Sequence, residues 1–227
     1  MTWVKICGIT NLEDAQTAVD AGADAVGFVF YQKSPRRVDV ETARQIIAKL
    51  PERVEKVGVF IGESEPDIWE MADMSGLTAL QLYFGDGPIS RTRVRDLHLQ
   101  SPKKIFGVIP AQMFFDDRER FEGFGFFKEP GNSIDGILFD SGNSQVLGGT
   151  GKTFDWEQMA PTLTGLNDHL KVIVAGGLNS ANVAQAMRIL HPWGVDVCSG
   201  VEAGRRKKDP DKVRAFISAV READRVH

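Results

Sequence analysis

Cysteine is scarce in this chain: Cys7 and Cys198 are the only two in 227 residues. Two are too few for a disulfide framework, so a reducing cytoplasm is the expected setting. Long apolar runs are missing too. None approaches the roughly 18 residues needed to cross a bilayer. The opening Met1-Thr2-Trp3-Val4-Lys5 lacks the basic region, apolar stretch and cleavage site of a signal peptide, so no membrane partner is expected. Positive charge is not in excess. Lysine and arginine total 27 against 31 acidic residues, a net charge of -4. That balance gives no reason to expect nucleic-acid binding. Histidines number 4, and no His/Cys/Asp cluster has metal-ligand spacing, so no metal is expected. No low-complexity linker breaks the chain, which reads as one domain over residues 1–227.

What is present is an alternation of apolar, β-rich runs with helical patterns. Strands are expected near residues 3–8, 25–30, 55–61, 79–84, 104–109, 136–140, 171–175 and 194–198. They are near-continuous apolar runs, as strands covered on both faces should be. Helices fit Leu12 to Ala21 (capped by Asn11, stopped by Gly22), Val40 to Leu50, Pro66 to Met74, Ser180 to Leu190 and Pro210 to Ala223. Eight strands with helices between them predict an α/β fold, a single (β/α)8 TIM barrel. The segment from Ala111 to Ile134 is rich in phenylalanine. The barrel needs a helix there: either Asp116 to Phe121 begins it, or the segment holds a short or distorted helix with an aromatic-rich loop.

Chemistry-bearing residues cluster at the predicted strand ends. Lys5 and Cys7 alternate with Val4 and Ile6, so they share one face, and a charged Lys5 belongs inside the barrel rather than under its helices. Cys7 then lies at the C-terminal mouth, where barrel active sites form. It is either a base for carbon-bound protons or a small buried hydrophobe. Asp140 ends another apolar strand, either as an acid kept protonated by burial or as a turn cap. Gly176-Gly177 and Ser199-Gly200 follow the last two strands, the usual phosphate-binding place in barrels, or are simply tight turns. Gly148 to Thr153, centred on Gly149, is either a loop closing over substrate or a plain flexible loop. It is not a Walker motif, because Val146 stands where that pattern needs glycine. Arg36 is a carboxylate clamp or a solvated arginine. Asp196 shares a face with Cys198 and is placed to pair with Lys5 inside the closed barrel, for structure or for function.

These motifs, in order, resemble the phosphoribosylanthranilate isomerase family of tryptophan biosynthesis. The resemblance rests on Val4 to Thr10, Gly27 to Phe30 with Lys33-Ser34-Pro35-Arg36, Val57 to Phe60, Leu80-Gln81-Leu82, Leu138-Phe139-Asp140, Gly148 to Trp156, Ala175 to Asn179 and Val195 to Glu202. It implies an Amadori rearrangement of a phosphorylated small-molecule substrate, without cofactor. It makes Cys7 the general base, Asp140 the general acid and Arg36 the partner of the anthranilate carboxylate. Gly149, Tyr83 and Asp196 join Arg36 as substrate-binding candidates, and Gly176, Gly177, Ser199 and Gly200 as phosphate-binding ones. Cys198 is expected to be a bystander. The assembly is expected to be a monomer or homodimer.

One position departs from the family. Where histidine usually follows Gln-Leu in the fourth strand, this chain has Tyr83, which is expected to line the aromatic side of the substrate. His98, His169 and His191 fall in predicted helices or their flanks and are poor substitutes. Two other readings remain: a sugar-phosphate barrel of the histidine-biosynthesis type, which uses two aspartates, and a catalytically silent phosphate-binding barrel.

Overall fold

The computed structural model describes residues 1–83, 103–116, 134–142, 152–167 and 170–226. Eight parallel strands close on themselves in sequence order. They are β1 (Trp3–Cys7), β2 (Ala25–Val29), β3 (Glu55–Ile61), β4 (Ala79–Tyr83), β5 (Lys104–Pro110), β6 (Gly136–Asp140), β7 (Val172–Val174) and β8 (Gly194–Val197). The helices are α1 (Leu12–Asp20), α2 (Val40–Ile47), α3 (Glu65–Ser75), α4 (Ala111–Asp116), α5 (Trp156–Asn167), α6 (Val183–Leu190) and α7 (Pro210–Ala223). The predicted TIM barrel is therefore the fold. No helix among the described residues is long and apolar enough to cross a membrane.

Local sequence explains the helix starts. Asn11 accepts a hydrogen bond from the Asp14 N–H at 2.9 Å, and Asp39 accepts from Thr42 N–H at 2.7 Å. Each satisfies a donor the helix cannot use internally. Helix α6 begins at Val183, three residues later than the expected Ser180. Asn179 and Asn182 spend their side chains on the preceding turn, where Asn182 accepts from Asn179 N–H at 2.8 Å and donates to Gly177 O at 3.0 Å.

Three features differ from expectation. Helix α4 starts at Ala111, directly after Pro110 closes β5, and not at Asp116. Proline has no N–H for a strand ladder and its φ suits a helix start. Residues 117–133 of the phenylalanine-rich segment lie outside the described residues. Helix α5 carries Pro161 and Gly165, which disguise it in sequence. It forms because Met159, Leu163 and Leu166 bury one face at helical spacing. A small antiparallel hairpin after β8, β9 (Glu202–Gly204) with β10 (Lys207–Lys208), has no counterpart in the sequence reading.

Alternation in β1 separates two cores. Val4 and Ile6 pack outward in the layer between strands and helices. Lys5 and Cys7 take the inward side. The barrel interior is filled by Ala25, Val57, Ala79, Phe106, Val108, Leu138, Ile173 and Ala175. Lys5 is 1% exposed there. The β1–β8 register sets it opposite Asp196, and its Nζ meets Asp196 Oδ1 at 2.7 Å. Burial works against the charge on Lys5, but Asp196, with Cys7 beside it, holds the ammonium above its ordinary pKa. Removing one partner of such a pair strands a charge in the core. Lys5→Ala should therefore lower unfolding stability in urea by about 3–5 kcal/mol. The double replacement Lys5→Met with Asp196→Leu should recover most of that loss. A Lys5→Ala protein within about 1 kcal/mol of the parent, the range of an exposed pair, would show that the pair does not hold the seam.

Candidate active site

The C-terminal ends of the strands form a cleft of about 320 Å³, partly open to solvent. Asp140, Gly176, Gly177, Asp196, Ser199 and Gly200 all line it, together with Cys198. Six of the ten residues singled out in the sequence thus meet in one place. Cys7 adjoins them, in contact with Cys198 and in a small cluster with Val29 and Val59 against which Tyr83 packs. Gly149 lies outside the described residues, as do His98 and His169.

Asp140 ends β6 and is 8% exposed. Burial is the dominant influence and raises its pKa above the usual carboxylate range. The Gly142 N–H at 3.1 Å and the Tyr83 hydroxyl at 3.2 Å oppose that rise without cancelling it. The result is a carboxyl group whose protonated form is favoured beyond its usual range.

Tyr83 ends β4 with its hydroxyl on Asp140 Oδ2. Its own pKa is pushed well up, first by burial and then by the Asp140 charge, so the phenol remains a donor. The sequence reading treated Tyr83 as lining for the substrate ring. The structure also gives it a bond to the acid candidate.

Cys7 closes β1, across the mouth from Asp140. The side chains of Lys5 and Cys7 both crowd Gly27, where an added Cβ would lie 3.0 Å from Lys5 Cε and 2.8 Å from Cys7 Sγ. Two forces compete at this thiol. Contact with Cys198 and burial push its pKa up, while the Lys5 ammonium pulls it down. Cys198 shifts the other way, to about 7, through its contact with Cys7 and the nearby Lys208 and Arg36 cations. The contact between the two thiols thus works in opposite directions, raising Cys7 and lowering Cys198. Cys198 touches Cys7 and lies beside the Arg36 and Lys208 cations.

Arg36 sits beside the end of β1. An added Cβ on Gly8 would meet its Cδ at 2.8 Å and Cys198 Sγ at 2.9 Å. Its Nε and Nη2 donate to the two oxygens of Glu202, both at 2.7 Å. Its Nη1 has no protein acceptor among the described residues. The guanidinium is thus fixed by a carboxylate of the chain itself, with an edge left for another. Lys208, 1% exposed, completes the cluster. It donates to Glu202 Oε1 at 3.3 Å and to the Cys198 carbonyl at 2.9 Å. Sequence reading missed Glu202 and Lys208. Both lie on the unpredicted hairpin, and their partners are distant in the chain, so no local pattern marks them.

The glycine turns have a steric reason. Gly176 and Gly177 adopt φ of +83° and +66°, which side chains disfavour. A Cβ on Gly200 would collide with the Leu178 carbonyl, so the turn after β8 packs directly on the turn after β7. The backbone of Lys152, at the end of the glycine-rich stretch, lies on Gly177. Close-packed turns of this kind bring backbone N–H groups together, the arrangement that holds anions in barrels.

Comparisons with known proteins agree with this geometry. Residues 4–219 match the family model described as N-(5'phosphoribosyl)anthranilate (PRA) isomerase. A curated N-(5'-phosphoribosyl)anthranilate isomerase of Chlorobaculum parvum is 42% identical over 226 residues, covering 100% of this chain and 98% of that protein. The crystal structure of the Thermotoga maritima phosphoribosyl anthranilate isomerase superposes with a TM-score of 0.81 at 38% identity, covering 98% of this chain and 100% of that one. Another phosphoribosyl anthranilate isomerase structure, in complex with reduced 1-(o-carboxyphenylamino)-1-deoxyribulose 5-phosphate, gives a TM-score of 0.79 at 37% identity with the same coverage. The chain belongs to the N-(5'-phosphoribosyl)anthranilate isomerase family and is an isomerase.

Proposed function

We propose that this chain converts N-(5'-phosphoribosyl)anthranilate to 1-(2-carboxyphenylamino)-1-deoxyribulose 5-phosphate, with Asp140 as general acid and Cys7 as general base. The observation that carries the mechanism is a buried carboxyl group, its pKa raised by that burial, sharing one barrel mouth with a buried thiol. Asp140 gives its proton to the furanose oxygen. The C1–O bond breaks, and the nitrogen lone pair makes a C1=N bond. That cationic bond acidifies the C2 hydrogen. Cys7, as thiolate, takes the C2 proton; the C–H electrons form the C1–C2 double bond of an enolamine, and the C1=N electrons return to nitrogen. In ketonisation the Cys7 thiol returns its proton to C1 and the C2 hydroxyl gives its proton to the Asp140 carboxylate, which leaves the ketone at C2 and restores both groups. Atoms balance, because substrate and product are isomers.

The remaining groups divide the substrate between them. Backbone N–H groups at Gly176-Gly177 and Ser199-Gly200 take the phosphate. Arg36, held edge-on by Glu202, takes the anthranilate carboxylate through its open side. A two-aspartate mechanism fits less well. Asp196 does line the cleft, but Lys5 occupies one of its oxygens at 2.7 Å.

Turnover is followed directly by loss of the fluorescence of phosphoribosylanthranilate. Cys7→Ala and Asp140→Asn should each reduce kcat by at least about 100-fold, the lower range for a positioned acid or base. Near-normal turnover in either variant removes that residue from the mechanism.

Inorganic phosphate should inhibit competitively, and sulfate soaked into a crystal should bind between the Gly176-Gly177 turn and Ser199-Gly200. An anion found only elsewhere, with no competition, would refute the phosphate assignment.

Tyr83→Phe should change kcat by less than about tenfold, or 1.4 kcal/mol. It should also move the basic limb of the pH profile. The Tyr83 hydroxyl favours the Asp140 carboxylate, so its loss raises the Asp140 pKa further. The acid then stays protonated to higher pH, and the limb shifts upward. A downward shift, or loss of kcat with the fold intact, would contradict this account of Tyr83.

A further inference from the structure

Two buried charge clusters flank the thiol pair, and they are not balanced alike. On the Cys7 side, Lys5 and Asp196 form one cation and one anion at 2.7 Å. On the Cys198 side, two cations share one carboxylate. Glu202 binds Arg36 at 2.7 Å and Lys208 at 3.3 Å. Lys208 Nζ also points at sulfur, 3.9 Å from Cys198 Sγ. These side chains are buried: Lys208 is 0% exposed, Glu202 7% and Arg36 14%. An uncompensated charge is costly at such depth. A thiolate at Cys198 supplies the missing anion; a thiolate at Cys7 would sit beside a pair that is already neutral.

Strand register brings the sulfurs together. Ile6 pairs with Val197 across the β1–β8 seam. Cys7 ends β1 and Cys198 directly follows β8, and their side chains are in contact. The groups facing Cys198 are Cys7 from β1, Arg36 from the loop after β2, Glu202 from β9 and Lys208 from β10. Asp196 and Lys5 stand behind Cys7.

We propose that Cys198 carries the resting negative charge of the pair and is the group that accepts the Cys7 proton, so that it is a positioning residue for the base. This rests on Cys7 being that base. The S–H bond at Cys7 breaks and one forms at Cys198. No electrons change hands, and the charge moves to Cys7. A substrate carboxylate at Arg36 cancels the cation excess that held the charge on Cys198, which favours the transfer. Cys7 then takes the C2 proton and later gives it up, and the pair again shares one proton. The lowered pKa of Cys198, to about 7, and the raised one of Cys7 agree with this resting distribution.

The chain holds only two cysteines, so each serine variant has a single thiol. Thiolate absorbance near 240 nm (from about pH 5 to 9, below the tyrosine range) is titrated on the unliganded protein. The wild type should show one step with a midpoint near 7. Cys7→Ser should keep a low step, and Cys198→Ser should lose it, leaving a step at least about one pH unit higher, a tenfold change in ionisation. The acid limb of kcat/KM in Cys198→Ser should rise by the same amount, with KM at the pH plateau unchanged within about threefold. A low step that survives in Cys198→Ser, or an acid limb that does not move, overturns the proposal. Should Cys198→Ser fail to fold, site-resolved iodoacetamide labelling of the wild type decides: Cys198 labelling must follow the low midpoint, and a low midpoint at Cys7 alone refutes it. The titration needs no substrate. Failure of the isomerase reading would appear separately, as absent turnover with the low step intact.

Discussion

Lys5 and Asp196 meet across the seam where the first and last strands close the barrel. A lysine inside a barrel is tolerable only with a partner in reach, and register alone provides one. Their pairing settles which face of β1 looks inward. It therefore settles that Cys7, two residues further along, arrives at the mouth. A slip of one residue in β1 would turn Cys7 into the helix layer and bury Lys5 among Ile9, Ala15 and their neighbours. The seam that closes the fold is also the seam on which the site is built.

From that seam the chemistry spreads in two directions. Across the mouth, apolar walls make Asp140 a reluctant carboxylate, and Tyr83 holds it by one bond. Along the seam, the hairpin β9–β10 folds back and delivers Glu202 and Lys208 to the Arg36 and Cys198 side. Asp140 is governed by desolvation, while the two thiols respond first to each other, then to burial and the nearby cations. Placing acid and thiols in different surroundings separates their proton affinities within one cleft.

Much of this was legible in the sequence. Strand alternation in Val4 to Cys7 placed Lys5 and Cys7 inside, and the glycine pairs placed both late turns. Asp196 was matched to Lys5 because the first and eighth strands must touch in a closed barrel. Other features were not legible, for physical reasons. Helix α5 survives Pro161 and Gly165 because tertiary burial of Met159, Leu163 and Leu166 outweighs local propensity. Glu202 and Lys208 look like surface charges until a short hairpin turns them inward. Cys198 reads as an ordinary small residue because its partners, Cys7, Arg36 and Lys208, come from three other parts of the chain. Long-range charge balance leaves no periodic trace.

The central claim is that one ligand can touch the glycine turns, Arg36, Cys7 and Asp140 at once. A crystal structure of this chain with reduced 1-(o-carboxyphenylamino)-1-deoxyribulose 5-phosphate tests it most directly. The account predicts phosphate at Gly177 and Gly200, and the carboxylate on the edge of Arg36 that Glu202 leaves open. It also predicts C2 of the sugar chain within about 3.5 Å of Cys7 Sγ, as proton transfer requires. A ligand bound with its carboxylate away from Arg36, or with C2 beyond reach of Cys7 while Asp196 approaches it instead, would contradict the account.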